Sequence, residues 1–233
     1  LPDKPKHLAT GCRSIDKMAR GGFPTGCISL LYGEATTGKT TMAMQTSVEC
    51  ARRGLKVLYV DADHSFSHQR LSQIAYMDLK DLGPNIVIFL PETFREQTSL
   101  VESFESYMTR QVGLVVVDTV SSLYRVSGNF PQRVFTLNRE LNRQLAYLAD
   151  LAAKHGVAVL ITSQVHSLVD MDGGVEPVAR RILFYWPKLI LNLKKTIKTN
   201  VKEAILERYF SKEGSSSHCY FLLTEKGIED AEH

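Results

Sequence analysis

The eight residues Gly33, Glu34, Ala35, Thr36, Thr37, Gly38, Lys39 and Thr40 match the pattern G-x-x-x-x-G-K-[ST] in full. Each fixed position has a chemical reason. Glycines let the backbone wrap closely around phosphate oxygens with its N–H groups turned inward. Lys39 would reach the β- and γ-phosphates and the Thr40 hydroxyl would ligate magnesium, with Thr41 next in the phosphate-binding set. The chemistry expected is therefore the binding of ATP with Mg2+. Asp118 ends the apolar run Val115–Val117 and is the natural second partner for the magnesium, directly or through water. An acid in that place is often only a helix N-cap, but the phosphate loop upstream favours the metal role. Hydrolysis needs a group that orients water near the γ-phosphate, and Asp61 or Asp63 could supply it. Asp63 could instead cap the turn before Ser65-Phe66. Gln164 places a neutral amide after another apolar run, where it could report the γ-phosphate or simply lie on the surface.

A phosphate loop works only between a strand and a helix, and the flanking residues read that way. Cys27–Tyr32 reads as a buried strand and Thr40–Arg52 as a helix that stops before Gly54. Lys56–Asp61, Leu114–Asp118 and Val157–Thr162 read as further strands. Phe94–Arg110 reads as an amphipathic helix. Arg133–His155 carries Leu137, Leu141, Leu145, Leu148 and Leu151 at helical steps. Continuous Val/Ile/Leu runs between helices predict a mainly parallel sheet covered on both faces. Such a sheet gathers the acids that end its strands at one edge, where ligands bind. After Trp186, Leu189–Leu193, Ala204–Phe210 and Tyr220–Thr224 read as strands without long helices between them, with a turn at Gly214 to Ser217. The expectation is an α/β fold, one domain over residues 1–233, with an antiparallel extension at one sheet edge. Arg125–Gln132 and His166–Pro187 resist assignment to regular structure, and long loops in compact domains are often functional.

Charge sets limits on partners. A net charge of +3, from 28 basic and 25 acidic residues, is too mild to indicate a nucleic acid by itself. Lys188, Lys194, Lys195, Lys198 and Lys202 crowd a stretch without acids, which reads equally as a lysine-blocked strand edge or as phosphate contacts. The four cysteines, Cys12, Cys27, Cys50 and Cys219, form no C-x-x-C pair and have no His cluster beside them. Neither a zinc site nor a disulfide scaffold is expected, and reduced thiols in a cytoplasm fit best. No apolar run is long enough for a membrane span, and the first residues lack the apolar region of a signal peptide.

The sequence resembles the RecA/RadA recombinase superfamily, most closely its short archaeal paralogues, from about Thr10 to Asp230. The carrying segments are Thr10–Met18 with Gly21-Gly22-Phe23, then Phe66 and Gln69-Arg70-Leu71, then Leu114–Asp118 with Tyr124-Arg125. Ile161–Val165, Leu206-Glu207-Arg208 and Thr224–Asp230 complete the order. The resemblance implies a RecA-like ATPase core in which Arg70 contacts the adenine face, Asp63 stands where the family has a catalytic Glu, and Gln164 senses the γ-phosphate. It implies two DNA loops, near Arg125 to Gln132 and His166 to Pro187, with Arg125, Arg133, Arg180 and Arg181 meeting phosphates. Phe130 would stack on a base of single-stranded DNA. Implied partners are DNA, a full-length recombinase or other repair proteins; self-association is allowed, and no membrane is implied. Three departures shape this. Asp63 is one methylene shorter than the family's Glu, which predicts slow hydrolysis. No N-terminal DNA-binding domain is expected before Thr10, and Leu1–Ala9 holds no F-x-x-A polymerisation segment. An accessory role beside a full-length recombinase fits better than long filaments. A KaiC-like signalling ATPase acting on protein partners shares the lead-in segment and is the alternative.

Overall fold

A computed structural model describes residues 4–76, 79–128, 134–167, 175–177, 179–210 and 212–231. In chain order, β1 (His7–Leu8), α1 (Arg13–Met18) and β2 (Phe23–Pro24) lead into β3 (Ile28–Gly33) and α2 (Lys39–Arg52). Then come β4 (Lys56–Asp61), α3 (His68–Ala75), α4 (Leu79–Leu82), β5 (Ile86–Phe89), α5 (Phe94–Tyr107) and β6 (Val112–Asp118). They are followed by α6 (Ser122–Ser127), α7 (Val134–His155), β7 (Ala158–Ser167), β8 (Val175–Pro177) and α8 (Arg180–Leu183). The chain closes with β9 (Leu189–Lys195), β10 (Val201–Tyr209), β11 (Lys212–Thr224) and β12 (Gly227–Asp230).

Among the described residues the main sheet runs β12-β11-β10-β9-β3-β7-β6-β4-β5, with β8 on β7. The strands from β5 to β9 in that order are parallel, and β10, β11 and β12 follow antiparallel. The expected α/β architecture with an antiparallel C-terminal part is what the chain adopts. Alternation along each buried strand feeds two cores, because successive side chains point to opposite faces. Val57 and Tyr59, Leu114 and Val116, and Leu191 and Leu193 face α2. Leu58 and Val60, Val115 and Val117, and Ile190 face α5 and α7. Burial on both faces is why these strands read as continuous apolar runs.

Three expectations are corrected. β9 pairs parallel with β3 and so lies inside the sheet, flanked by β10. The lysine-rich stretch that opens before it is thus no strand edge; Lys194 and Lys195 mark where β9 leaves the core. Ser122–Ser127 is helical, so the first unassigned stretch begins as α6. The second is ordered at both ends: β7 continues to Ser167, and β8 and α8 occupy 175–177 and 180–183. No helix among the described residues is long and apolar enough to cross a membrane.

One buried amide ties the phosphate-loop helix to the C-terminal strand. Gln45, in the middle of α2, accepts from Ile228 N at 2.6 Å and donates to Ile228 O at 2.9 Å, as a neighbouring strand would. Gly11 and Gly227 make room, since a Cβ on either would lie 2.5 and 2.3 Å from the Gln45 amide atoms. Gln45→Ala would strand two buried backbone groups. An expected loss of about 2–4 kcal/mol follows from the cost of unmade buried hydrogen bonds. Urea unfolding checks it; a loss below about 0.5 kcal/mol would show that water or a backbone shift replaces the clamp.

Candidate nucleotide-binding site

The parallel register sets out the site. Gly33 ends β3 opposite Gln164 of β7 on one side and Leu193 of β9 on the other. Asp61 of β4 lies opposite Asp118 of β6. All five therefore sit at the carboxyl edge of the sheet, where such folds hold ligands. Gly33 is required there: its φ is +153°, and a Cβ would lie 2.1 Å from the Leu193 carbonyl oxygen. Gly38, at φ +94°, turns the chain into α2, so the first N–H groups of a 14-residue helix face the loop.

Between loop and strands lies a cavity of about 270 Å³ lined by Ala35, Thr36, Gly38, Lys39, Thr40, Thr41, Asp63, Ser65, Thr119, Gln164 and Leu223. A larger cleft, of about 440 Å³, lies between α5, α6 and α7. There Arg143 is already paired with Glu102 and Glu140, and the cleft has no phosphate loop or strand-end acid of the kind gathered at the smaller one. The smaller cavity is the chemical one. Lys39 is 7% exposed and bends back to donate to the carbonyls of Gly33 at 2.8 Å and Glu34 at 2.7 Å. Burial pulls its ammonium down from the usual 10.5 to about 8, a shift that Asp118 and Asp63 partly offset. Thr37 braces the loop by donating to Glu34 O at 2.9 Å. Lys195 stands 3.7 Å from the Glu34 carboxylate, both half-exposed.

Asp118 is buried at 1% exposure and accepts from Tyr59 Oη at 2.7 Å and from Thr162 Oγ1. Burial pushes its carboxyl up, while Thr162, Tyr59 and Thr40 hydroxyls pull it down. The residues fit a nucleotide with magnesium on a further observation. The Thr119 hydroxyl is buried and has no hydrogen-bond partner among the described residues, and Thr119 is one of the residues lining the cavity. A buried hydroxyl without a partner is costly unless something else supplies one. Thr40 and Asp118 would hold the ion, which neutralises phosphate charge when bound.

The two acids after β4 separate cleanly. Asp61 accepts from Ser65 N at 3.0 Å and Phe66 N at 2.8 Å, so it, and not Asp63, caps this turn and is withdrawn from any role as base. Asp63 is half-buried at the cavity, with Oδ2 accepting from Gln164 Nε2 at 3.2 Å. Arg70 is not among the cavity-lining residues. Its guanidinium donates to Thr224 O and Glu225 O, both at 2.6 Å, and so holds the β11–β12 turn beside Leu223. Arg125 extends from α6 to Gln164 Oε1 at 3.2 Å. Arg180 and Arg181 lie exposed on α8, with Arg180 stacked 4.6 Å over the Phe184 ring. Phe130 and Arg133 lie outside the described residues. Sequence reasoning missed Thr119, although it directly follows Asp118; Lys195, named there only within a lysine-rich stretch, stands beside Glu34 of the phosphate loop.

Residues 4–231 match the Rad51 family. The chain is 39% identical over 230 residues to "DNA repair and recombination protein RadB" of Thermococcus gammatolerans, covering 96% of this chain and 98% of that protein. The protein of the same description from Methanococcoides burtonii is 31% identical over 223 residues, covering 96% and 97%. A solved structure described as the crystal structure of the RadB recombinase superposes with a TM-score of 0.82 at 36% identity, over 97% of this chain and 100% of that one. The chain belongs to the Rad51 family, and the two relatives above, matched over 98% and 97% of their length, are both described as RadB proteins.

Proposed function

We propose that this protein binds ATP with Mg2+ between the phosphate loop and Asp118, hydrolyses it slowly through Asp63, and binds single-stranded DNA in support of a full-length recombinase during repair. The carrying observation is the meeting of Lys39, Thr40, Asp63, Thr119 and Gln164 on one cavity. The RadB relatives, named for DNA repair and recombination, supply the biological context. In this reading Lys39 leaves the Gly33 and Glu34 carbonyls for phosphate oxygens, Asp63 orients water, and Gln164 reports the γ-phosphate. The chain acts as one RecA-like core.

Fluorescence anisotropy of labelled single-stranded DNA, with magnesium and ATP or ADP at two salt concentrations, tests it. Salt-sensitive binding that differs between the nucleotides is the expected result. No binding at low salt in either state overturns the DNA reading and leaves an ATPase that acts on protein partners. Arg181→Glu is the cleaner loop variant, because Arg180 also packs on Phe184. It is expected to weaken DNA binding severalfold and to lower the salt slope by about 1. Unchanged binding and slope would remove Arg181 from the interface.

A further inference from the structure

The Gln164 amide is fixed at both ends. Its Nε2 donates to Asp63 Oδ2 and its Oε1 accepts from Arg125 Nη1, each at 3.2 Å. An amide donates only from nitrogen and accepts only at oxygen, and a guanidinium only donates. Turned over, the amide would set N–H against guanidinium N–H and oxygen against carboxylate. Arg125 and Asp63 thus impose the same orientation on the amide, and Arg125 holds its N–H toward Asp63 from the far side. The partners come from 39 and 101 residues away in sequence, so the chain of contacts exists only in the fold.

Two cavities meet at this chain. Asp63 and Gln164 line the phosphate cavity, and they also line a second cavity of about 430 Å³ whose other walls are Ser122, Arg125 and Val126. Arg125 lines only the second, and it is exposed to solvent. An anion entering there meets one cation and one carboxylate, Arg125 and Asp63. It is attracted to the first and repelled by the second, which favours drawing Arg125 away from Gln164. A guanidinium–phosphate contact is charge-assisted on both sides and outcompetes a guanidinium–amide one.

We propose that Arg125 is a positioning residue whose guanidinium, in the DNA-free protein, holds Gln164 against Asp63, and that a DNA phosphodiester taking Arg125 releases both groups toward the γ-phosphate. The inference rests on Asp63 as the water-orienting group and on DNA as the ligand. Arg125 is then the point through which polyanion binding raises ATP turnover, a coupling between two sites.

The test compares ATP turnover without DNA in the wild type, Arg125→Ala and Arg125→Lys, with DNA binding measured separately by anisotropy. Arg125→Ala is expected to turn over ATP without DNA about tenfold faster than the wild type and to gain little more when DNA is added. Arg125→Lys keeps a donor toward Gln164 Oε1 without the guanidinium's fixed geometry, and its DNA-free turnover is expected to fall between those of the wild type and Arg125→Ala. Equal or slower DNA-free turnover in Arg125→Ala, at any level including none, overturns the proposal. A wild type that fails to bind DNA, alongside an accelerated Arg125→Ala, leaves the contact standing and removes DNA as its ligand.

Discussion

Lys39→Met is expected to weaken ATP binding by two to three orders of magnitude, on the order of 3–4 kcal/mol, while sparing or raising the stability of the free protein. The argument starts from burial. Lys39 is 7% exposed, and its ammonium donates to the Gly33 and Glu34 carbonyls, with Lys195 adding repulsion. Its pKa falls from 10.5 to about 8 because a buried charge loses water, with Asp118 and Asp63 opposing the fall. The folded value lies below the unfolded one, so between about pH 8 and 10.5 the unfolded chain holds the proton more tightly and stability rises with pH. Below about pH 8 the folded protein carries the full cost of the buried charge, on the order of 3 kcal/mol, part of which the two carbonyl contacts return. A phosphate supplies the missing counter-charge, so the strain of the free site becomes affinity for the ligand. Methionine keeps the length and removes the charge. Its stability relative to wild type should decline by about 3 kcal/mol as pH goes from 8 to 10.5, because only the wild type gains from losing that proton. Calorimetric titration with ATP and unfolding across that pH range read both effects. Nucleotide affinity within fivefold of the wild type would place the phosphate site elsewhere.

What could be read in advance follows the range of the forces involved. The phosphate loop is legible because close backbone approach leaves no alternative to glycine at Gly33, where even a methyl group would strike the Leu193 carbonyl. The central strands are legible because burial on both faces writes them as apolar runs, as in Val115–Val117. By contrast, β5 is a wholly apolar run, Ile86–Phe89, but it is only four residues long and lies at the sheet edge with Val87 39% exposed, and so short a run does not by itself separate a strand from a piece of buried helix. β9 looks like part of an antiparallel ribbon because no long helix precedes it, yet the short α8 suffices to return the chain parallel to β3. Asp61 and Asp63 differ by two residues and share a chemistry. Only the turn at Ser65 and Phe66, which consumes the Asp61 carboxylate, tells them apart. The Gln45 clamp on Ile228 spans 183 residues and leaves no trace in local spacing. Arg70 shows the opposite hazard. A position that resemblance assigns to the adenine is occupied, in the free protein, with the carbonyls of 224 and 225.

Asp63→Glu is expected to raise ATP turnover at saturating ATP and DNA by about a hundredfold, with KM little changed. Asp63 already shares the cavity with Lys39 and Thr40, and its charge acts on both Lys39 and Asp118. Electrostatically it is where a water-orienting carboxylate belongs. Its reach is the weakness: one of its oxygens is spent on Gln164 at 3.2 Å, and the side chain ends one methylene earlier than glutamate would. A displacement of about 1 Å at the reacting centre can cost about a hundredfold in rate, so the added methylene restores position without adding charge. The site has room for it, since Asp63 is half-buried and borders both cavities. Because the change acts on the orientation of water and leaves the phosphate contacts untouched, it should appear in kcat rather than in KM. Asp63→Asn, which keeps the size and removes the carboxylate, should abolish turnover while retaining ATP binding. A Glu variant no faster than the wild type, or an Asn variant that still turns over ATP, would take the water-orienting role away from Asp63. The hold of Arg125 on Gln164, at the neighbouring cavity, would then be the next contact to release in a search for what sets the rate.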